Sequence, residues 1–155
     1  MNNTVLLDTS FLISLMDDSR ENHLKAKEFY KYFIENKFPM ILSSIVTSEF
    51  SIKQSVSDLP LYSLRPLPFN ISDSHHLSSL FEVKFKGYKS DRISVKDDYK
   101  IVSQCSFNKI TFLLTEDSEL CALIDSMRAE NLLNVKALFL PDGHEKALGL
   151  QVSLF

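Results

Sequence analysis

The chain has 155 residues, of which 45% are hydrophobic and 24% charged, a composition typical of one globular domain with a single core. Its net charge of −3 excludes a protein held to nucleic acid by overall basic charge, so such a role would need a local basic patch or a bound cation. No apolar run approaches the roughly 20 residues of a membrane span and the N-terminus does not resemble a signal peptide, so we expect one cytoplasmic domain over residues 1–155 and no membrane association.

The first part of the chain alternates apolar runs with helical patterns. Residues 4–8 (TVLLD) predict a buried strand, and FLISLM (11–16) predicts the start of a helix. A helix is predicted over 18–36, where an apolar stripe recurs at i, i+3, i+4 and i+7. The stripe consists of Ala26, Phe29, Tyr30 and Phe33. Residues 38–44 predict a second strand, and residues 44–57 predict another helix.

Prolines and basic residues punctuate the middle of the chain. The segment LRPLPF (64–69) predicts a short edge strand, because proline is tolerated at a sheet edge. Ser72 or Asp73 is the predicted N-terminal cap of a helix that continues to Phe81. Residues 83–96 are the most polar and basic stretch, and they predict a loop.

The last part repeats the alternation of helix and strand. We predict a helix over 96–107, a strand over 109–115, a helix over 118–131 and a final strand over 135–140. The segment after Pro141 matches no recognisable pattern. Strands that alternate with helices predict an α/β fold with a mostly parallel sheet, whose strand-to-helix loops all lie at the carboxyl edge.

Four acidic residues are predicted to reach this carboxyl edge. Asp8 ends the first strand, and Asp117 follows the strand over 109–115. Asp98 lies in the first turn of the helix before that strand, so the chain returns to the edge that it left. Glu49 lies in the early turns of the helix after the second strand. Taken singly, each acid is better explained structurally. An Asp after a buried strand is commonly a helix cap or turn former, Asp98 could complement a helix dipole, and Glu49 could be an ordinary exposed residue. Their convergence nevertheless favours a shared site.

A cluster of carboxylates is a chemically specific arrangement. The negative charges repel one another, so at least one group takes up a proton unless a cation is present. Oxygen ligands without Cys or His suit Mg²⁺ or Mn²⁺. Such ions activate a water molecule and stabilise charge on a phosphodiester during in-line displacement. The pattern therefore predicts a metal-dependent phosphodiester hydrolase.

Asp97 and Asp98 leave an ambiguity of one residue. Helical phase favours Asp98, which shares a face with Ile101, Val102 and Cys105, whereas Asp97 points about 100° away. Asp98 is therefore the predicted ligand, and Asp97 is kept as the alternative.

The chain resembles the PIN-domain family of metal-dependent ribonucleases, which includes toxins of toxin–antitoxin pairs of the VapC kind. The segments that carry the resemblance, in order, are LLDTSFLISLM, ILSSIVTSEF, RPLPFNISDSHHLSSLF, DDYKIVSQC and FLLTEDSEL. The resemblance implies a three-layer α/β/α, Rossmann-like fold with about five strands in the order 3-2-1-4-5. It also implies a homodimer and a cognate antitoxin protein as partners.

Carried over residue by residue, the resemblance implies a metal-binding and catalytic quartet for Mg²⁺ or Mn²⁺. The quartet is Asp8, Glu49, Asp98 and Asp117. The matched motifs also imply polar supports for this cluster. These supports are Ser10, Thr115 and Glu119.

Basic residues precede and enter the helix that carries Asp98. Candidate RNA contacts among them are Lys89, Arg92 and Lys96, which would guide phosphates towards the acids. A solvated loop and helix face explains the same residues equally well.

The resulting expectation is an endoribonuclease that cleaves RNA with a divalent ion. Two other classes compete with it. One is a PIN-like scaffold that binds RNA or protein with little catalysis. The other is a phosphoacceptor receiver domain, which ranks lower because that fold needs an acidic pair after the first strand, where this chain has Thr9 and Ser10.

Overall fold

Five parallel strands form the centre of the computed structural model, which describes residues 3–81 and 93–150, with only the backbone at Phe81 and 93–96. The strands are β1 (Val5–Leu7), β2 (Met40–Ser43), β3 (Leu64–Leu67), β4 (Phe112–Thr115) and β5 (Lys136–Phe139). The helices are α1 (Thr9–Met16), α2 (His23–Glu35), α3 (Ser44–Lys53), α4 (Ile71–Phe81), α5 (Ile93–Phe107), α6 (Ser118–Ala129) and α7 (His144–Ala147). Short 3-10 turns lie at Val56–Asp58, Leu61–Ser63 and Leu140–Asp142.

The first strand lies in the middle of the sheet, whose order is β3-β2-β1-β4-β5. Val5 is in register with Met40 of β2 on one side and with Phe112 of β4 on the other. Successive residues of β1 point to opposite faces of the sheet, yet Val5, Leu6 and Leu7 are all fully buried. Both faces are therefore covered, and the predicted three-layer α/β fold with its 3-2-1-4-5 order is confirmed.

Helix α2 joins the sheet through aromatic rings. Phe33 stacks on Phe38 with ring centroids 5.4 Å apart, and Phe38 stacks on Phe112 of β4 at 6.2 Å. Helix α2 was predicted from residue 18 but begins at His23, because a turn at Asp17 precedes it. The Oδ1 atom of Asp17 accepts hydrogen bonds from the backbone N–H and the hydroxyl of Ser19, at 3.0 and 2.6 Å.

Two further boundaries differ from the sequence predictions. Helix α4 begins at Ile71, so neither Ser72 nor Asp73 is its cap. Asp73 is buried within the first turn, and its Oδ2 accepts from the backbone N–H of Asn70 at 2.7 Å. Helix α5 begins at Ile93 rather than near Lys96, so the predicted loop was wrong over 93–96. The rest of that loop lies outside the described residues.

The described helices do not include one that combines the length and the apolar character needed to traverse a bilayer.

Candidate active site

Asp8 stands at the carboxyl end of the central strand, where the chain turns into α1. Only 7% of the residue is exposed, and its side chain makes no capping hydrogen bond to α1. Instead, Oδ2 accepts hydrogen bonds from the hydroxyls of Thr115 at 2.7 Å and Ser10 at 3.1 Å. Burial raises the pKa of Asp8 and the nearby charge of Asp117 adds to the rise, while the hydroxyl bond from Thr115 opposes it. Hydroxyl groups therefore fix the buried Asp8 carboxylate in place. The structure contradicts a capping role for this side chain.

Asp117 lies just past β4 and caps helix α6. Its Oδ1 accepts from the backbone N–H groups of Glu119 at 2.8 Å and Leu120 at 3.3 Å. Its own N–H donates to the Thr115 hydroxyl at 3.0 Å. The capping explanation is thus correct for Asp117, and it fixes the orientation of the carboxylate beside Asp8.

Glu49 approaches the same place from α3. Its Oε2 accepts from the Thr9 hydroxyl at 3.3 Å, and Thr9 is the first residue of α1. Burial raises the pKa of Glu49 to about 7, and the charges of Asp8 and Asp97 contribute to the rise. Ionisation of Glu49 is therefore opposed both by burial and by repulsion from the neighbouring carboxylates.

The structure does not decide between Asp97 and Asp98. Both lie half-buried in α5, and the fully buried residues of that helix run without a break from Ile101 to Cys105. Because this buried band is wide, helical phase does not favour one acid over the other. The charge of Asp97 contributes to the raised pKa of Glu49, whereas the charge of Asp98 contributes to a raised pKa of Tyr99. The choice of Asp98 as ligand stays a prediction.

Ser10 connects the polar groups around Asp8. Its hydroxyl lies 3.3 Å from that of Thr115, and it accepts from the backbone N–H of Glu116 at 2.9 Å. The side chain of Glu116 accepts hydrogen bonds from Ser14 and Asn22. Glu116, although next to Asp117 in the sequence, therefore belongs to a different set of contacts.

The other predicted site residues are Glu119 and the three basic residues. Glu119 is half-buried in the first turn of α6. Lys89, Arg92 and the side chain of Lys96 lie outside the described residues, so their predicted contact with RNA stays a prediction.

Asp8, Glu49 and Asp117 thus interact electrostatically at one edge of the sheet. Within 3–81 and 93–150, none of these three carboxylates forms an ion pair with a lysine or arginine, although the charge of Lys53 lowers the pKa of Glu49. The three carboxylates are hard oxygen donors, and the charge of Asp117 raises the pKa of Asp8 while that of Asp8 raises the pKa of Glu49. This donor chemistry fits a divalent ion such as Mg²⁺ or Mn²⁺. Among the described residues, however, no three His, Cys, Asp or Glu side chains are already grouped tightly enough to hold an ion.

Comparison with known proteins identifies the fold. No model of a protein family matches the chain, and no curated protein matches it. Solved structures, however, do match it. VapC20 of Mycobacterium tuberculosis, a sarcin-ricin loop cleaving toxin, is 14% identical with a TM-score of 0.54, over 86% of this chain and 99% of that one.

Two chains from VapBC assemblies match in the same way. One is from VapBC2 of Rickettsia felis bound to a DNA fragment from their promoter, with 14% identity, a TM-score of 0.56, and coverage of 86% of this chain and 96% of that one. The other is from DNA-bound VapBC of Salmonella typhimurium, with 15% identity, a TM-score of 0.52, and coverage of 89% and 98%. The chain therefore has the fold of the VapC PIN-domain toxins, as the sequence motifs predicted.

Sequence reasoning missed three contacts near the acids: the Thr9 bond to Glu49, the role of Glu116, and a buried link from Gln104 on α5 to Ser43 at the end of β2. The sequence contained one signal for the contacts of Glu116. Ser10 and Ser14 are four residues apart on a mostly apolar helix, which indicates a polar contact along one face.

Proposed function

We propose that this chain is a divalent-metal-dependent endoribonuclease and the toxin of a toxin–antitoxin pair. The observation that carries the proposal is Asp8, a buried carboxylate that binds Thr115 and interacts electrostatically with Glu49 and Asp117. The fold shared with VapC20, which cleaves the sarcin-ricin loop, supports RNA as the substrate.

In this proposal, one set of acids holds Mg²⁺ or Mn²⁺. The set is Asp8, Glu49, Asp98 and Asp117, with Ser10, Thr115 and Glu119 as polar supports. A bound divalent ion supplies Lewis-acid stabilisation of the negative charge that develops on the phosphodiester.

The contribution of the chain itself is orientation and charge. The hydroxyls of Thr115 and Ser10 fix the Asp8 carboxylate, and the α6 cap fixes that of Asp117. The cluster presents a concentrated negative charge that a cation offsets. No protein side chain is needed as the nucleophile, since water is the attacking group in phosphodiester hydrolysis.

The partners follow from the same proposal. Lys89, Arg92 and Lys96 would contact RNA phosphates and raise the dependence of binding on salt. The neighbours from VapBC assemblies support an antitoxin protein as partner. We propose a homodimer as the assembled form, to be tested by light scattering.

Cleavage assays with Asp8→Asn test the proposal. The amide side chain keeps the shape and can still accept from Thr115, so the fold should survive while Mn²⁺-dependent cleavage of single-stranded and sarcin-ricin hairpin RNAs is lost. Asp18→Asn, at an exposed aspartate, is the matched control and should cleave like the wild type. Full activity in a contamination-free Asp8→Asn sample would refute the assignment.

A second candidate function is a PIN-like scaffold that binds RNA or protein without cleaving. It is favoured by the finding that no three metal-ligating side chains within 3–81 and 93–150 are already grouped around one point. Calorimetric titration with Mn²⁺ separates the two functions when combined with RNA cleavage. A scaffold binds RNA but shows weak metal binding and no cleavage, whereas the enzyme shows saturable Mn²⁺ binding and cleavage that EDTA stops.

A further inference from the structure

Glu116 is next to Asp117, yet both oxygens of its carboxylate are engaged elsewhere. Asn22 donates its side-chain amide to Oε1 at 2.8 Å, and Ser14 donates its hydroxyl to Oε2 at 3.0 Å. Both donors are buried, with Ser14 at 0% and Asn22 at 8% exposed. They belong to α1 and to the turn before α2, so this carboxylate joins the end of β4 to the α1–α2 pair.

The backbone of Glu116 is anchored to α1 as well. Its N–H donates to the Ser10 hydroxyl at 2.9 Å, and that hydroxyl lies 3.1 Å from Oδ2 of Asp8. Ser10 and Ser14 are one helical turn apart on the same face of α1. The segment between Thr115 and Asp117 is therefore held by α1 at two points, one through backbone and one through side chain.

A further contact joins α1 to α2 at Ser14. His23 begins α2, and its Nδ1 lies 2.9 Å from the backbone carbonyl of Ser14. Ser14 therefore contacts both the start of α2 and the turn after β4. A displacement of α1 would thus be transmitted to the backbone that carries Asp117.

We propose that Glu116 is a positioning residue: its bonds to Ser14 and Asn22 hold the turn after β4 against α1 and so set the place of Asp117 relative to Asp8. This role rests on the proposed nuclease function. It differs from a role as metal ligand, because a Glu116 carboxylate that turned to an ion would leave two buried donors without their acceptor. A carboxylate suits this place because it has an accepting oxygen for each donor, whereas a glutamine amide would present an NH2 group to one of them.

Amide hydrogen exchange tests the positioning without any need for activity. In Glu116→Ala and in Ser14→Ala, the amides of Glu116 and Asp117 should exchange at least about tenfold faster, while those of Leu113 and Leu114 in β4 keep their rates. Glu116→Gln should give an intermediate effect. The double variant Ser14→Ala/Glu116→Ala should exchange no faster than Glu116→Ala, because Glu116→Ala already removes the bond from Ser14. Unchanged exchange at Glu116 and Asp117, or equal acceleration throughout β4, would overturn the proposal.

Kinetics then connect the position of the turn to the reaction. Glu116→Ala should lower kcat about tenfold with KM unchanged, and it should retain measurable Mn²⁺ binding in calorimetry. Glu130→Ala, at an exposed glutamate, is the matched control and should change neither. Loss of Mn²⁺ binding as complete as in Asp117→Asn would make Glu116 a ligand and refute the positioning role. If the wild type does not cleave RNA, the proposed function fails, while the exchange experiment still decides the role of Glu116.

Discussion

The hydroxyl of Thr115 lies 2.7 Å from Oδ2 of Asp8, although 107 positions separate the two residues in the chain. Thr115 is fully buried at the end of β4, and Asp8 follows the neighbouring strand β1. This bond links the two central strands at the edge where the acids lie. It is also the largest of the hydrogen-bond contributions that oppose the burial of the Asp8 charge.

Thr115→Val should therefore weaken the fold and change the pH dependence of the site. We expect a loss of about 1–3 kcal/mol in the free energy of unfolding, because a buried acceptor loses its donor. The pKa of Asp8 should rise further, so the acid limb of the cleavage profile should move to higher pH. Urea unfolding and pH–rate profiles measure the two effects.

Thr111→Val supplies the matched control for that substitution. Thr111 accepts from the backbone N–H of Thr4 at 3.2 Å, and so joins the same pair of strands at the opposite end of the sheet. Its loss should cost about 0.5–1.5 kcal/mol and leave the pH profile in place. An identical shift of the profile in both variants would contradict a special role for the bond between Thr115 and Asp8.

Stability without metal should depend on pH through Glu49. Its pKa is about 7 in the folded protein against an ordinary value of 4.5. Below the lower value, the group is protonated in both states. Between the two values the unfolded chain releases a proton that the folded chain retains, so the free energy of unfolding falls as pH rises and then levels off above the higher value.

Glu49→Gln should remove much of that slope, because glutamine does not titrate. The raised pKa of Asp8 acts in the same direction and leaves a residual slope. Urea midpoints measured across this pH range in EDTA give the comparison. Glu130→Gln, at an exposed position, should keep the slope of the wild type. A slope that survives unchanged in Glu49→Gln would mean that the charge cost lies elsewhere.

Divalent ions should stabilise the fold, because a bound cation offsets the repulsion among the carboxylates. A ligand that binds only the folded state at 100 times its Kd adds about 2.7 kcal/mol. Mn²⁺ should therefore raise the Tm at neutral pH and lower the pKa of Glu49, and EDTA should return both to their starting values. Asp8→Asn should abolish most of the Mn²⁺ effect. An equal rise of Tm in Asp8→Asn would place the ion at another site.

Gln104 should matter for stability as a buried amide. It is fully buried in α5, its Oε1 accepts from the hydroxyl of Ser43, and its Nε2 donates to the backbone carbonyl of Pro68 at 3.2 Å. It thus ties the helix of Asp97 and Asp98 to the ends of β2 and β3. Gln104→Leu should cost about 1–3 kcal/mol, because the buried Ser43 hydroxyl loses its acceptor and the Pro68 carbonyl loses its donor.

Gln54→Leu provides the comparison for this loss. The Gln54 side chain donates to Asp58 at 3.2 Å in an exposed setting, so its replacement should change the free energy of unfolding by no more than about 0.5 kcal/mol. Chemical unfolding of both variants gives the two values. Equal costs would show that the Gln104 contacts add nothing beyond those of a surface amide.

The sheet was the most predictable part of the molecule. Short apolar runs bounded by polar turns marked β1, β2, β4 and β5, and the prolines of LRPLPF marked β3 as an edge strand. Helix ends were less predictable, because they depend on individual side-chain bonds. The Asp17 carboxylate accepts from Ser19, and that of Asp73 accepts from the backbone N–H of Asn70. Both local sequences also suit other turn or cap arrangements.

The site was predictable in its place and less so in its details. The carboxyl edge of a parallel sheet brought Asp8, Glu49 and Asp117 into electrostatic range, as the strand ends implied. Helical phase failed to separate Asp97 from Asp98, because α5 is buried over a wider arc than an apolar stripe indicates. The contacts of Glu116 could not be predicted from the sequence, because they depend on how α1 and α2 pack.

The central position of β1 also determines when the sheet can form during synthesis of the chain. The strand is made first, but one of its two neighbours is β4, and parallel pairing over such a distance forms slowly. A nascent chain that stops short of Thr115 has neither the hydroxyl that holds Asp8 nor Asp117 itself. The hazardous chemistry proposed for this protein would thus be withheld until synthesis has passed that point and the middle of the sheet has closed.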